Sequence, residues 1–186
     1  MTTCIKMNYF RASSRLAQIK LLVLDVDGVI TDGGLFYNEN GDVQRRFDVR
    51  DGLGIRLLQK FGIQLALLSG GRGGSIEQRS THLGITNCLT EIKDKKAALC
   101  QLQEQLGISV LNTAYAGDDL NDLVVRPLVG LLFAPADACL PLKNKADFIL
   151  KNKGGHGAVR ELAELILRAQ GQWKSLANEG WLDLNS

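Results

Sequence analysis

The chain is expected to fold as one α/β domain built on a doubly wound, mostly parallel, Rossmann-like sheet, and three observations predict it. The apolar run Leu21–Leu24 is too continuous for a half-exposed strand and suits one buried on both faces. Strand-like and helix-like stretches then alternate, the helical ones stopped by glycines such as Gly62, Gly84 and Gly107. At 186 residues the chain is long enough for one packed domain and too short for two ordinary ones.

Taken in order, Arg11–Gln18 reads as a short frayed helix leading into the first strand. That strand ends at Asp25, with a second carboxylate at Asp27 and then Gly28, which turns without a Cβ penalty. Leu35 and Tyr37, then Val43, Phe47 and Val49, follow period-two spacing on either side of Asn40-Gly41. Asn-Gly between such runs predicts a β-hairpin closed by a type I′ turn, because that turn needs positive φ at both central residues. The hairpin, about residues 33–50, should project beside the two aspartates.

Gly52–Phe61 has helical spacing, Gln64–Leu68 reads as a second buried strand ending at Ser69, and Ser75–Leu83 as a helix. A short strand near Ile85–Leu89 precedes the amphipathic helix Asp94–Leu106, with Asp94 as its N-cap. Thr113–Ala116 is a strand delivering Gly117-Asp118-Asp119; Val129–Phe133 and Phe148–Leu150 are two more, and Ala158–Ala169 is a closing helix. The expected organisation is a lead-in at 1–18, the domain at 19–170 and a tail at 171–186. The tail holds both tryptophans, Trp173 and Trp181, which either pack on a neighbouring subunit or cover the C-terminal helix.

Composition excludes several classes. A net charge of +2 without a Lys/Arg block argues against nucleic acid as a partner. Four scattered cysteines, Cys4, Cys88, Cys100 and Cys139, with no C-x-x-C pair argue against zinc and disulfides and for a reducing cytoplasm. No apolar stretch is long enough to span a bilayer, and Met1–Gln18 lacks the apolar segment of a signal peptide.

The polar residues sit where strands end. Asp25 and Asp27 follow the first strand, Ser69 the second, and Asp118, Asp119 and Asp122 a later one, while Lys95 opens a helix between them. In a doubly wound sheet these strand ends share one edge, where ligands bind. Plainer alternatives exist for each. Asp-x-Asp-Gly is also a turn former, although an EF-hand loop would need further oxygen ligands and flanking helices. Ser69 suits a helix cap or turn, and Lys93 and Lys96 stand beside Lys95 as rivals.

The order acid pair, hydroxyl, lysine, acid cluster makes the chain resemble the haloacid dehalogenase superfamily of phosphotransferases. D-V-D-G-V-I-T-D-G, the hairpin, D-G-L-G-I, G-D-D-L-N-D and G-G-H-G-A-V-R-E together resemble its capless sugar-acid branch. That branch is typified by 3-deoxy-D-manno-octulosonate 8-phosphate phosphatase and lies in lipopolysaccharide biosynthesis. The resemblance implies a Mg²⁺-dependent phosphatase in which Asp25 is the nucleophile and forms an aspartyl-phosphate. Asp27 would act as general acid and then base, and its backbone carbonyl would join Asp25 and Asp118 as metal ligands. Ser69, Gly70 and Lys95 would bind phosphate, with Asp119 and Asp122 in support. Arg50 and Arg160 are candidates for a substrate carboxylate, which arginine binds bidentately; for Arg160 the alternative is an exposed helix residue near His156.

Within the superfamily that the chain resembles, an aspartate at position 27 points to phosphate-ester hydrolysis, since a dehalogenase does not need an acid there and the ATPase branch carries a threonine. The sugar-acid branch lacks a cap domain and walls its site with neighbouring hairpins, which implies a homotetramer acting on a small phosphorylated sugar acid. Relatives usually read S-G-R or T-G-R at the second motif; here it is Ser69-Gly70-Gly71-Arg72, with the arginine one residue later. Alternatives to this reading are a phosphatase of another small phosphomonoester and a non-catalytic oligomerisation module.

Overall fold

Strand β1 (Leu21–Leu24) lies at the middle of a six-stranded sheet and is buried along its whole length. In this computed structural model, which describes residues 13–181, β1 pairs in parallel with β4 (Gln64–Leu68) on one side and β6 (Thr113–Ala116) on the other. The sheet continues outward to β5 (Asn87–Leu89) beyond β4, and to β7 (Leu131–Ala134) and β8 (Phe148–Ile149) beyond β6. Every pair is parallel, so the sheet is the predicted one with no antiparallel member.

The apolar run is continuous because each face of the sheet carries its own core. Leu22 and Leu24 join Leu65 and Leu67 against helices α1 (Val49–Lys60) and α5 (Ala158–Ala169). Leu21 and Val23 join Ala66, Leu68 and Tyr115 against α3 (Lys95–Leu106). Successive residues of a strand point to opposite faces, so a strand covered on both sides must be apolar at every position.

Register then aligns the strand ends. Leu24 stands opposite both Leu67 and Ala116, so Asp25, Ser69 and Asp118 all emerge at the carboxyl edge. The second glycine of D-G-L-G-I has a packing reason: a Cβ on Gly54 would come within 2.9 Å of the Arg160 Cα, so its absence lets α1 and α5 pack closely. Asp51, buried between these helices, accepts hydrogen bonds from the backbone N–H groups of Gly157 and Arg160 at the start of α5.

Several elements depart from expectation. The hairpin forms as β2 (Phe36–Tyr37) and β3 (Val43–Gln44), but its turn is not type I′. Only Gly41 has positive φ; Asn38 instead closes a longer loop, its Oδ1 accepting from the N–H groups of Asn40 and Asp42. An Asx-type side-chain bond therefore replaces the tight two-residue turn. Helix α1 starts at Val49, earlier than expected, because Asp48 caps it by accepting from the Arg50 N–H. The segment Leu120–Leu128, unassigned in the sequence, is a 3₁₀ helix opened by a capping box between Asp119 and Asp122.

Helices α2 (Ser75–His82) and α3 stop at the glycines predicted, and a short α4 (Leu140–Lys143) was not anticipated. Residues 13–17 are helical, while Arg11 and Cys4 lie outside the described residues. The tail is not featureless: α6 (Trp173–Glu179) packs back on the domain, and both tryptophans rest against the α1/α5 core. No helix among the described residues is long and apolar enough to cross a membrane.

Candidate active site

Asp25 leaves β1 with its backbone N–H bonded to the Ala116 carbonyl, which ties the strand end to β6. The tight turn Val26–Ile30 follows, with Gly28 at φ 86°. The same turn is backed by Gly154 and Gly155: a Cβ on Gly154 would run into the Gly28 carbonyl. The glycines of G-G-H-G-A-V-R-E thus let the loop before α5 pass directly beneath the acid pair. His156 is exposed and turns back to the Gly154 carbonyl at 2.8 Å.

Lys95 resolves the rivalry among three lysines. As the first residue of α3 it is buried, and its Nζ lies 2.8 Å from Asp25 Oδ1 and 2.6 Å from Asp122 Oδ1. Lys93 and Lys96, its chain neighbours, are exposed. Asp122 is wholly buried; its Oδ1 also accepts from the Tyr115 hydroxyl at 2.7 Å, and its Oδ2 from the N–H groups of Asp118 and Asp119. Asp122 therefore holds the lysine on one side and the loop carrying Asp118 on the other.

The electrostatics follow from burial. Desolvation, and then the nearby Asp122 charge, push the Asp25 carboxyl up to about 6 against the pull of Lys95. Burial, with Asp25, Asp122 and Asp119 all close, pushes Asp118 up to about 7. Burial alone would lower the pKa of the Lys95 ammonium, but Asp25 and Asp122 together raise it. Tyr115 is held neutral, its pKa well above the ordinary value, first by burial and then by Asp122.

A divalent cation fits here. Carboxylate oxygens of Asp25, Asp118 and Asp122 lie within 4.8 Å of one another. Both Asp122 oxygens are engaged in the bonds just described, so Asp25 and Asp118 are the carboxylates left to hold an ion. Both carboxyls are raised first by burial and then by the neighbouring acids, and a hard, oxygen-seeking cation would favour their charged forms.

Asp25, Asp27, Ser69, Gly70, Asp118 and Asp119 line a crevice of about 570 Å³ together with Gly28, Gly71 and Asn121. Ser69 is buried, and its Oγ accepts the Gly71 N–H at 3.0 Å, a turn-forming bond that leaves the hydroxyl proton to donate. Asp27 faces the other wall. Its carboxylate is gripped by Arg45, with Nε at 2.7 Å from Oδ1 and Nη2 at 3.2 Å from Oδ2. Arg45, just after the hairpin's return strand, was not singled out from the sequence.

Arg50 and Arg160 are not brought to the crevice. Arg50 is exposed and paired with Asp48 at 2.9 Å; the bonds from Arg50 hold the Asp48 carboxyl down to about 2. Arg160 pairs with Glu164 at 2.9 Å and lies over the Trp173 ring. Each guanidinium has found a nearer partner on its own helix or cap. The displaced Arg72 is exposed, and the guanidinium beside Gly71 belongs to Arg45.

A parallel sheet whose carboxyl edge gathers Asp25, Lys95, Asp118 and Ser69 is the arrangement of a haloacid dehalogenase-like hydrolase. The model of that family matches residues 58–162, and the chain belongs to it. The enzyme is a hydrolase acting on phosphoric monoesters, as expected. Its relatives are more particular. The chain is 43% identical to the 3-deoxy-D-manno-octulosonate 8-phosphate phosphatase KdsC of Haemophilus influenzae, over 85% of this chain and 88% of that one. It resembles the crystal structure of the phosphatase of the same name from Yersinia pestis, with TM-score 0.85, 42% identity and coverage of 87% and 88%. It also resembles the Moraxella catarrhalis enzyme solved with magnesium ion, phosphate ion and KDO: TM-score 0.88, 36% identity, coverage 92% and 98%.

Proposed function

We propose that the protein hydrolyses 3-deoxy-D-manno-octulosonate 8-phosphate, or a closely related sugar-acid phosphate, through an aspartyl-phosphate intermediate. The observation that supports this most is one contact set: Lys95 Nζ at 2.8 Å from Asp25, with Asp118 close enough to share a cation, in a chain so similar to named phosphatases of this substrate.

The chain's own residues divide the work. An oxygen of Asp25 attacks phosphorus, the bond to the ester oxygen breaks, and Asp27 gives its proton to the departing alcohol. Asp27 then takes a proton from water as that water attacks the acyl phosphate, releasing inorganic phosphate and restoring the Asp25 carboxylate. The Ser69 hydroxyl and the Lys95 ammonium hold the transferred phosphoryl oxygens, and the amides of the Val26–Gly28 turn add a backbone nest. Asp25, the Asp27 carbonyl and Asp118 would hold Mg²⁺, which when bound shields the anionic nucleophile from the phosphate dianion.

The assembly is a homotetramer on this reading. Leu35, Phe36, Tyr37 and Val49 are exposed along the hairpin and the start of α1, an apolar patch that a neighbouring subunit would cover while walling the crevice. Such packing also gives Arg50 and Arg160, turned away from their own crevice, a route to a neighbour's. The place of action on this reading is the cytoplasm, in lipopolysaccharide synthesis, a compartment that keeps thiols such as Cys88, Cys100 and Cys139 reduced.

A phosphate-release screen with Mg²⁺ over sugar-acid phosphates and hexose phosphates tests the reading. The octulosonate ester should lead; a clear preference for hexose phosphates overturns the substrate and leaves the mechanism standing.

A further inference from the structure

The Arg45 side chain is only 3% exposed, although it comes from a hairpin whose Phe36 and Tyr37 are 62% and 68% exposed. A guanidinium is rarely buried unless a carboxylate meets it, and here the one carboxylate it pairs with, among the described residues, is Asp27. The two meet fork to fork: Nε and Nη2 each donate to a different oxygen of Asp27. The third nitrogen, Nη1, donates to Ser75 Oγ at 3.2 Å, and that hydroxyl bonds the Val43 carbonyl on the hairpin itself. Each of the three nitrogens therefore donates to a group of the protein itself.

Gly71 completes the arrangement. Its φ is not in the left-handed region, so conformation does not demand glycine there. Space favours it: a Cβ would stand 2.8 Å from Arg45 Nη2, 3.1 Å from Asp27 Oδ2 and 3.2 Å from Ser69 Oγ, so these side-chain ends would have to shift. The bare α-carbon makes room for the arginine to reach the acid across the second-motif loop.

We propose that Arg45 is a positioning residue for the reaction: carried on the hairpin and seated over Gly71, it fixes the plane of the Asp27 carboxylate for proton transfer. The proposal rests on the acid–base reading of Asp27. It makes hairpin placement and acid geometry one variable, because moving the return strand moves the guanidinium and with it the carboxylate. Lysine, a point charge without the planar fork, cannot reproduce the clamp.

The test compares kcat/KM for two esters, since this ratio reports events up to release of the leaving group. 3-Deoxy-D-manno-octulosonate 8-phosphate has an alkyl leaving group that needs a proton; p-nitrophenyl phosphate has one that leaves as a stable anion. Asp27→Asn should lose about 10²–10⁴-fold on the alkyl ester and far less on the aryl ester. Arg45→Ala should show the same selective loss, about 30–100-fold on the alkyl ester against under threefold on the aryl ester, with Arg45→Lys falling between it and wild type. Gly71→Ala, which crowds the pair without deleting it, should give a smaller selective loss and covers the case where Arg45→Ala fails to fold. Equal losses on both esters in Arg45→Ala and Gly71→Ala, with Asp27→Asn still selective, overturn the proposal alone. Equal losses in Asp27→Asn overturn the acid–base reading and the proposal with it.

Discussion

Asp25 and Asp27 are two residues apart and live in different electrostatic worlds. The Asp25 side chain is 8% exposed and meets a lysine from a helix packed on the sheet; the Asp27 side chain is 32% exposed and meets an arginine from a projecting hairpin. Asp25 sits directly at the end of a strand paired on both sides, so its position is set by the sheet. Asp27 lies inside the tight turn beyond it, and its partner arrives from the projecting hairpin, far from it in the chain. The difference separates a carboxylate placed by the sheet from one placed by the packing of a hairpin against the second-motif loop.

The comparison breaks most completely at Asp25. Asp25→Asn should abolish phosphate release, by about 10⁴-fold or more, and leave no acid-stable trace of a phosphorylated enzyme in quenched mixtures. Its fold should persist, because Lys95 keeps Asp122 as partner; unchanged activity would remove the nucleophile from the mechanism.

Lys95 should come next. Lys95→Met removes the cation between two buried carboxylates, so activity should fall about 10²–10³-fold and stability by about 3–5 kcal/mol. The stability loss should shrink toward pH 5, where the Asp25 carboxyl, already raised to about 6 by burial and the nearby Asp122, is protonated. A loss of stability that ignores pH would argue that packing, not charge, is what Lys95 supplies.

Metal and pH sharpen the same side of the comparison. Asp25 and Asp118 have folded pKa values raised to about 6 and about 7, above the unfolded 3.8. Groups raised in this way contribute stability that is complete below the unfolded value and is lost as pH climbs through the folded value. In chelator, the melting temperature should therefore decline between about pH 4 and pH 7. Saturating Mg²⁺ should restore about 5–10 °C at pH 7.5 and much less at pH 5. An equal Mg²⁺ effect at both pH values would place the ion away from these carboxylates.

The smallest effect is expected at the hairpin tip. Asn38→Ala loses the side-chain bonds to Asn40 and Asp42 and should cost about 1 kcal/mol or less, with activity on the octulosonate ester kept within about threefold. A larger loss of activity than that of Arg45→Ala would show that the tip, and not the root, governs the site.

How much of this was legible varies along the chain for physical reasons. Leu21–Leu24, Gln64–Leu68, Thr113–Ala116 and Ala158–Ala169 appear where expected, because doubly buried strands and glycine-stopped helices write their environment into local pattern. The convergence of Asp25, Ser69 and Asp118 was legible for the same reason, since flush parallel strands must deliver their next residues to one edge. The hairpin was read correctly as an element and wrongly as a turn: Asn40-Gly41 carries the local signal, but the Asn38 side chain outcompeted it. The 3₁₀ helix Leu120–Leu128 was left unassigned in the sequence; it is opened by the Asp119–Asp122 capping box, and Asp122 is tied in turn to Lys95 from a distant helix.

What the sequence determined by itself is therefore the sheet, its polarity and the acids at its edge, all consequences of side chains answering to neighbours close in the chain. Which lysine enters, that Arg45 reaches Asp27, and that Arg50 and Arg160 turn away were settled only by tertiary structure. A long charged side chain has many reachable partners, and the one it meets is set by how distant segments pack, which no local pattern encodes.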